Sequence, residues 1–339
     1  MRGFPGCVNW SVRGAVVSFH PLISLPSDVM SLFSLIAAFL LEQLRPLSSR
    51  KYLERGLAAY ADYFQRHFNA GERWHGKTAW FLAVVPPVLL VLLVYGLLYR
   101  VHPLLGWALN VALLYFTMGF RQFSHYFTDI HKALREDRLE EARTLLSRWW
   151  QQPAQALNPE EVARVSIEQA LLASYRHVFG VVIFFVLFSM LCLCGGAGAM
   201  LFRLVQFLRL RWQDTVHAGS FAEFSGAAGR WLDWLPVRMT AATFAIVGDF
   251  EDTIYCWRSQ AASWPDSEAG ILLSSGAGAL GVRLGMLLPQ DGLPLDRPEL
   301  GIDNEADADF MQSTVGLMWR AIVFWLILLV LLTVANLMG

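Results

Sequence analysis

Thr78 to Tyr99 reads TAWFLAVVPPVLLVLLVYGLLY, an apolar run without a single charge. It exceeds the roughly 20 residues that an α-helix needs to cross a hydrocarbon core. Pro86 and Pro87 are expected to kink it, which a membrane helix tolerates when neighbours satisfy the freed carbonyls. Arg100-Val101-His102-Pro103 follows, and then a second run, Leu104 to Phe120 (LLGWALNVALLYFTMGF). Two spans joined by so short a turn must form a hairpin. The fold is therefore expected to be all-α, because only helices and closed barrels satisfy the backbone inside lipid.

Two further runs extend the pattern. Val178 to Cys194 (VFGVVIFFVLFSMLCLC) is uncharged and leads into Gly195-Gly196-Ala197-Gly198-Ala199, which should break or bend it. Leu317 to Leu337 carries only Arg320, near its start, where the side chain can snorkel. Ser31 to Leu41 is apolar but too short to cross alone. The expected architecture is a polytopic integral membrane helix bundle of about four spans, near 78–99, 104–120, 178–194 and 317–337. A cytoplasmic helical layer at 121–177 and surface helices with a linker at 200–315 complete a single domain over 30–339. Residues 1–29 are expected to be disordered or an over-called N-terminus. Arg13 interrupts any signal-peptide core, and Met30 offers an alternative start.

Composition agrees. Of 339 residues, 55% are hydrophobic and only 16% charged, well under the quarter usual in soluble domains. The mean hydropathy is +0.41. These values exclude a disordered chain and argue against a cytosolic enzyme. A net charge of −1 gives no field for polyanions, so no nucleic-acid partner is expected. The expected partners are the lipid bilayer and either a small-molecule ligand or a membrane signalling protein. The four cysteines (Cys7, Cys192, Cys194 and Cys256) form no disulfide or zinc pattern, and no metal is expected. Lys and Arg are dense in the segments before residue 78 and after residue 120, whereas the hairpin turn holds only Arg100. The positive-inside rule puts both flanks in the cytoplasm and the turn outside. Arg203, Arg209 and Arg211 follow the third run closely, which a re-entrant hairpin at the Gly-rich turn would reconcile.

The polar stretches read as helices. Phe127, Ile130 and Leu134 share one face, and Leu139, Ala142, Leu146 and Trp149 another. Asp137 with Glu140 reads as a capping box, and Asn158-Pro159-Glu160-Glu161 as N-cap, N1 proline and acidic first turn. Leu288 to Asp309 is rich in Pro and acids and reads as an exposed linker. Trp231, Trp234, Trp257 and Trp264 suggest elements at the membrane surface.

Candidate chemistry is sparse. Gly276-Ala-Gly278-Ala-Leu-Gly281 matches G-x-G-x-x-G, but no strand precedes it, so close helix packing is the better account. Glu168 and Arg176 lie two turns apart on one face, forming either a polar pocket or interfacial anchors. Asp233 before Pro236, with Arg238, reads as helix capping or as ligand contacts. Arg283 could face an anion. Nucleophile-elbow, P-loop and zincin motifs are absent. Any site is expected where Glu168, Arg176, Asp233, Arg238 and Arg283 converge.

Four stretches in order resemble the CobD/CbiB superfamily of membrane proteins, which includes adenosylcobinamide-phosphate synthases and the AmpE proteins. They are Ala133 to Ser147, Glu161 to Ala173, Leu232 to Met239 (LDWLPVRM) and Gly278 to Gly285 (GALGVRLG). Leu232 to Met239 is closer to the AmpE form. Departures fall where the synthases keep polar groups: Ala173 to Gly180 lacks their Asn and Asp, Asp266 to Leu280 lacks their Pro-Asn, and Arg148 to Gln152 lacks an acid. The resemblance with these departures implies an AmpE-like regulatory or ligand-sensing protein with a degenerate site and no cofactor. The alternative is a synthase forming the amide between an aminopropanol unit and adenosylcobyric acid, with ATP and a corrinoid as its small molecules.

Overall fold

The computed structural model describes residues 27–44, 50–68, 73–191, 194–213, 219–289, 296–302 and 304–338, so residues 1–26 of the expected N-terminal tail lie outside it. The described chain is an all-α membrane helix bundle. α1 (Ser27–Leu44) and α2 (Arg50–Phe68) lead into α3 (Arg73–Val101), which holds the whole decisive run with Pro86 and Pro87 inside it. α4 (Pro103–Thr117) turns straight back. His102 is its N-cap and accepts the Leu104 N–H at 3.2 Å, while Pro103 fills N1, where no donor is needed. The two helices pack as the expected hairpin.

α5 (Phe120–Arg135) and α6 (Leu139–Trp150) form a second antiparallel pair. Phe127, Ile130, Ala142 and Leu146 are buried, as the periodicity predicts. The capping box at Asp137 does not form. Arg138 stands at the N-cap, and Asp137 has φ 55°. The tight turn between the helices needs a left-handed residue, which Asp tolerates, and that geometry takes the carboxylate out of cap position. The Asn158 box does form: Asn158 Oδ1 accepts the Glu161 N–H at 2.7 Å, and Glu161 Oε2 accepts the Asn158 N–H at 2.8 Å.

α7 (Pro159–Ser174) continues through a π-helical turn (Tyr175–Phe179) into α8 (Gly180–Met190). α7 was expected in a solvated layer, but Val162, Ala163, Val165, Ile167 and Leu171 are fully enclosed by α5, α12 and α13. Its charges misled because they are neutralised inside the fold. α9 (Gly195–Gln213) packs back along α8. The run does break ahead of the glycines, with α8 ending at Met190 and α9 starting at Gly195, and the glycines also let α9 approach α8 closely. A Cβ on Gly198 would lie 2.4 Å from the Phe184 carbonyl oxygen, and one on Gly180 would lie 2.1 Å from the Phe202 ring.

α10 (Gly219–Val247), α11 (Phe250–Gln260), α12 (Ser267–Leu280), a two-stranded ribbon of β1 (Leu284–Gly285) and β2 (Glu299–Leu300), and α13 (Ala308–Met338) complete the order. The ribbon is antiparallel, with Leu284 opposite Leu300. Gly276 and Gly278 face Leu171 of α7 and the backbone of α11, so the glycine pattern is a packing device. The expected linker is folded where it is described: Leu288, Leu300 and Ala306 are buried.

Three described helices are long and apolar enough to cross a membrane: Trp74–Val101, Pro159–Met190 and Ala308–Ala335. The expected span at 104–120 is shorter, because α4 ends at Thr117. Its 15 residues rise about 22 Å against a core of about 30 Å. Phe81, Leu89, Leu90, Leu93 and Leu97 of α3 and Val323, Ile327 and Leu331 of α13 are exposed, the outward faces that lipid would cover.

Candidate functional site

The π-helical turn sets Tyr175 and Arg176 where the polar part of the long helix gives way to its uncharged half. α9 runs antiparallel beside it, so Gln206 and Arg209, three apart on one face, come level with Tyr175. α10 supplies Asp233, which is 2% exposed. Its carboxylate takes three donors: Tyr175 Oη at 2.5 Å, Gln206 Nε2, and Arg209 at 2.8 Å. Such saturation is what a buried carboxylate requires. Burial pushes the Asp233 carboxyl above the usual range, and the Tyr175, Gln206 and Arg209 contacts only partly pull it back.

One of the two readings of Asp233 makes it a cap for a helix beginning at Pro236. The structure corrects this, because α10 runs unbroken from Gly219 with Pro236 inside it. Asp233 is thus a mid-helix carboxylate facing inward, for which binding or structural pairing are the available roles.

Arg209 extends the cluster. Its other nitrogen lies 3.5 Å from Asp266 Oδ2 and 4.0 Å from Glu268 Oε2. These two acids open α12: Asp266 is the N-cap and accepts the Glu268 N–H at 3.3 Å. Burial pushes Glu268 up to about 7, helped by the hydrogen bond and the charge of Asp266. Burial also acts upward on Asp266, but the Glu268 contact and Arg209 outweigh it, and its carboxyl ends below the usual range. The two carboxyls therefore share a proton near neutrality. Oε2 of Glu268 is buried without a hydrogen-bond partner. Arg176 shares the field of Asp233, Asp266 and Arg209, yet makes no hydrogen bond or ion pair among the described residues. One pole of the cluster is thus cationic and the other is a proton-sharing acid pair.

Of the five residues expected to converge, only Arg176 and Asp233 meet. Glu168, 2% exposed, is bound instead by Arg297 at 2.6 and 3.3 Å and by the Gly285 N–H at 2.8 Å. Arg297 also donates to the Gly285 carbonyl at 3.0 Å and lies over the Trp264 ring at 5.7 Å. This second centre pins the ribbon to α7. Arg283 pairs with Glu299 at 2.9 Å across that ribbon. Arg238 stacks on Trp234 at 4.6 Å and donates to its carbonyl at 2.8 Å.

Sequence reasoning missed Gln206, Arg209, Glu268 and Arg297 as site or pairing residues. Arg209 had a usable signal: it and Gln206 interrupt the apolar Leu204–Leu210 stretch at helical spacing, and ionisable groups in such segments default to function. Arg297 had none, since its partner Glu168 is 129 positions away.

No solved structure matches the chain. The family described as CobD/Cbib protein matches residues 35–318. A cobalamin biosynthesis protein CobD from Stutzerimonas stutzeri is 33% identical over 308 residues, covering 88% of this chain and 97% of the relative. A CobD from Chromobacterium violaceum is 32% identical over 226 residues, covering 66% and 70%. A cobalamin biosynthesis protein CbiB from Salmonella arizonae is 25% identical over 278 residues, covering 75% and 80%. These matches overturn the expectation of an AmpE-like regulator with a degenerate site. With a family match across most of its length and relatives that share its extent, the chain belongs to the CobD/CbiB protein family.

Proposed function

We propose that the protein is an enzyme of cobalamin biosynthesis, an adenosylcobinamide-phosphate synthase of the bacterial inner membrane. It joins an aminopropanol unit to adenosylcobyric acid through an amide bond. The observation that carries this reading is the near full-length match to a CobD protein of cobalamin biosynthesis.

The charged cluster suits such chemistry. An amide made from a carboxylate and an amine must expel a carboxyl oxygen, and ATP is the co-substrate expected to take it. The oxygen leaves on phosphate, the nitrogen loses protons, and a C–N bond replaces the C–O bond. ATP and the corrinoid are substrates in this reading. Their anionic groups suit Arg176 and Arg209, and the ammonium of the amine suits the acid pair. Low-dielectric surroundings strengthen both contacts. The arginine-rich segments favour a cytoplasmic position for this cluster under the positive-inside rule, which would give it access to ATP.

The test is direct. Protein purified in detergent is given adenosylcobyric acid, ATP and aminopropanol or its phosphate ester, and the product is read by mass. A mass gain equal to the amine minus water is expected. The gene should also restore cobalamin synthesis to a strain lacking its synthase. No product and no rescue would overturn the reading.

A further inference from the structure

We propose that the Asp266–Glu268 carboxyl pair accepts the proton of the attacking amine, with Arg209 as the positioning residue that holds the pair in its mixed state. The inference rests on the synthase reading and assigns a catalytic role within it.

An alkylamine is an ammonium ion at neutral pH and has no lone pair to offer. Something in the site must take a proton, and the best acceptor has a pKa near the working pH. Among the described residues of the cluster, the candidates differ sharply. Asp233 is committed to three donors and 2% exposed, so its lone pairs face protein. Glu268 is different. Its side chain is 15% exposed, its Oε2 has no hydrogen-bond partner, and Arg209 stands off at 4.0 Å. Asp266, 42% exposed, opens the pair to the outside. The groups that act on Glu268 are Asp266 on the same helix end and Arg209 from α9, while Arg176 from the π-helical turn acts on Asp266. Two like carboxyls beside one arginine hold one proton between them, as adjacent carboxyls with interacting titrations do. Raised toward neutrality, Glu268 is poised to cycle.

The step balances as follows. The ammonium gives one proton to the pair, and the freed lone pair forms the C–N bond. The C–O bond to phosphate breaks, and its electron pair leaves with inorganic phosphate. The second nitrogen proton goes to that phosphate, and the pair returns its proton to water.

The experiment compares the full-length wild type with Glu268→Gln, Glu268→Asp and Asp266→Asn over pH 5.5 to 9. Wild-type amide formation tests the synthase reading; the variants test this assignment. Glu268→Gln should lower kcat with aminopropanol by about 100-fold or more, and the rise of kcat/KM centred near 7 should vanish. Glu268→Asp should keep the rise at a reduced rate. Asp266→Asn removes the neighbouring charge that raises Glu268, so the midpoint should fall. Hydroxylamine, unprotonated at neutral pH, should react with Glu268→Gln within about threefold of the wild-type rate, because no proton need be removed first. A structural role would depress both amines alike. The assignment is overturned if Glu268→Gln keeps the wild-type pH profile, if hydroxylamine is slowed as much as aminopropanol, or if Asp266→Asn leaves the midpoint in place. Should Glu268→Gln not fold, the midpoints of Glu268→Asp and Asp266→Asn decide it.

Discussion

Asp233 shows how a single buried carboxylate organises three elements. Tyr175, Gln206 and Arg209 all end on it, so removing it orphans three donors at once. Asp233→Ala should cost about 3–5 kcal/mol, because Tyr175 and Gln206 lose a buried acceptor and Arg209 keeps only its longer contacts to Asp266 and Glu268. Thermal unfolding in detergent would read this as a large fall in Tm. Arg297→Ala should cost a similar amount, about 3–5 kcal/mol, by stranding Glu168. It should also speed proteolysis at the ribbon strands β1 and β2, which Arg297 ties to α7; unchanged cleavage would refute that anchoring. Glu268 gives a pH signature. Its folded pKa of about 7 lies above the ordinary 4.5, so the folded state binds its proton more tightly than the unfolded chain. This site therefore disfavours folding progressively as pH rises from about 4.5 through about 7. Asp266 moves the other way, and its window lies below its ordinary 3.8. The Tm of Glu268→Gln minus that of wild type should thus grow more positive between pH 5 and 8. A constant difference would contradict the raised pKa.

At the scale of elements, the sequence made visible what depends on local pattern. The Thr78–Tyr99 run, its hairpin partner, the paired faces of α5 and α6 and the Asn158 box each follow from residues within a few turns. The failures share a cause, which is dependence on distant partners. α7 looked solvated because its charges were counted without Arg297, and the 288–309 stretch looked like a linker because Glu168 was not beside it. Asp233 looked like a cap because Pro236 suggested a helix start that the bundle overrides. The α8–α9 hairpin divides between the two: the break in the apolar run is legible from the glycines, whereas their close-packed face depends on phenylalanines elsewhere in the hairpin. Gly198→Val tests the close-packed reading. Its side chain would meet the Phe184 carbonyl at 2.4 Å and Phe188 at 2.7 Å. Overpacking of this kind costs about 1–3 kcal/mol, so Tm should fall clearly. A neutral result would mean that the helices can part.

For the whole molecule, the depth of that hairpin decides the topology. The described residues flanking its tip stop short of the level of the α3–α4 turn. Cys194 and Ala197 pack on Val88, midway along the apolar run of α3. Asn110, midway along α4, accepts the Gly196 N–H at 2.9 Å and the Cys194 thiol at 3.2 Å. Asn110 thereby satisfies the donors that a helix start would otherwise strand in hydrocarbon, the condition under which non-helical backbone survives at membrane depth. The other end of the molecule gathers the charge: Arg135 binds Asp309 at 2.6 Å, Arg211 holds Asp62 through two 2.9 Å bonds, and the site cluster lies at the return of α9. We infer a re-entrant hairpin entering from the cytoplasmic side, which lets Arg203, Arg209 and Arg211 obey the positive-inside rule after an apolar arm. Single cysteines labelled with a membrane-impermeant maleimide, read against the parent protein's background, test it at three depths. Val101→Cys at the hairpin turn should label in intact cells. Glu140→Cys on α6 should label only after permeabilisation. Leu191→Cys, exposed at the tip, should label in neither state, because lipid rather than water surrounds it. A full span would instead bring residue 191 to the outer surface, and labelling there in intact cells would replace the re-entrant arrangement with a crossing.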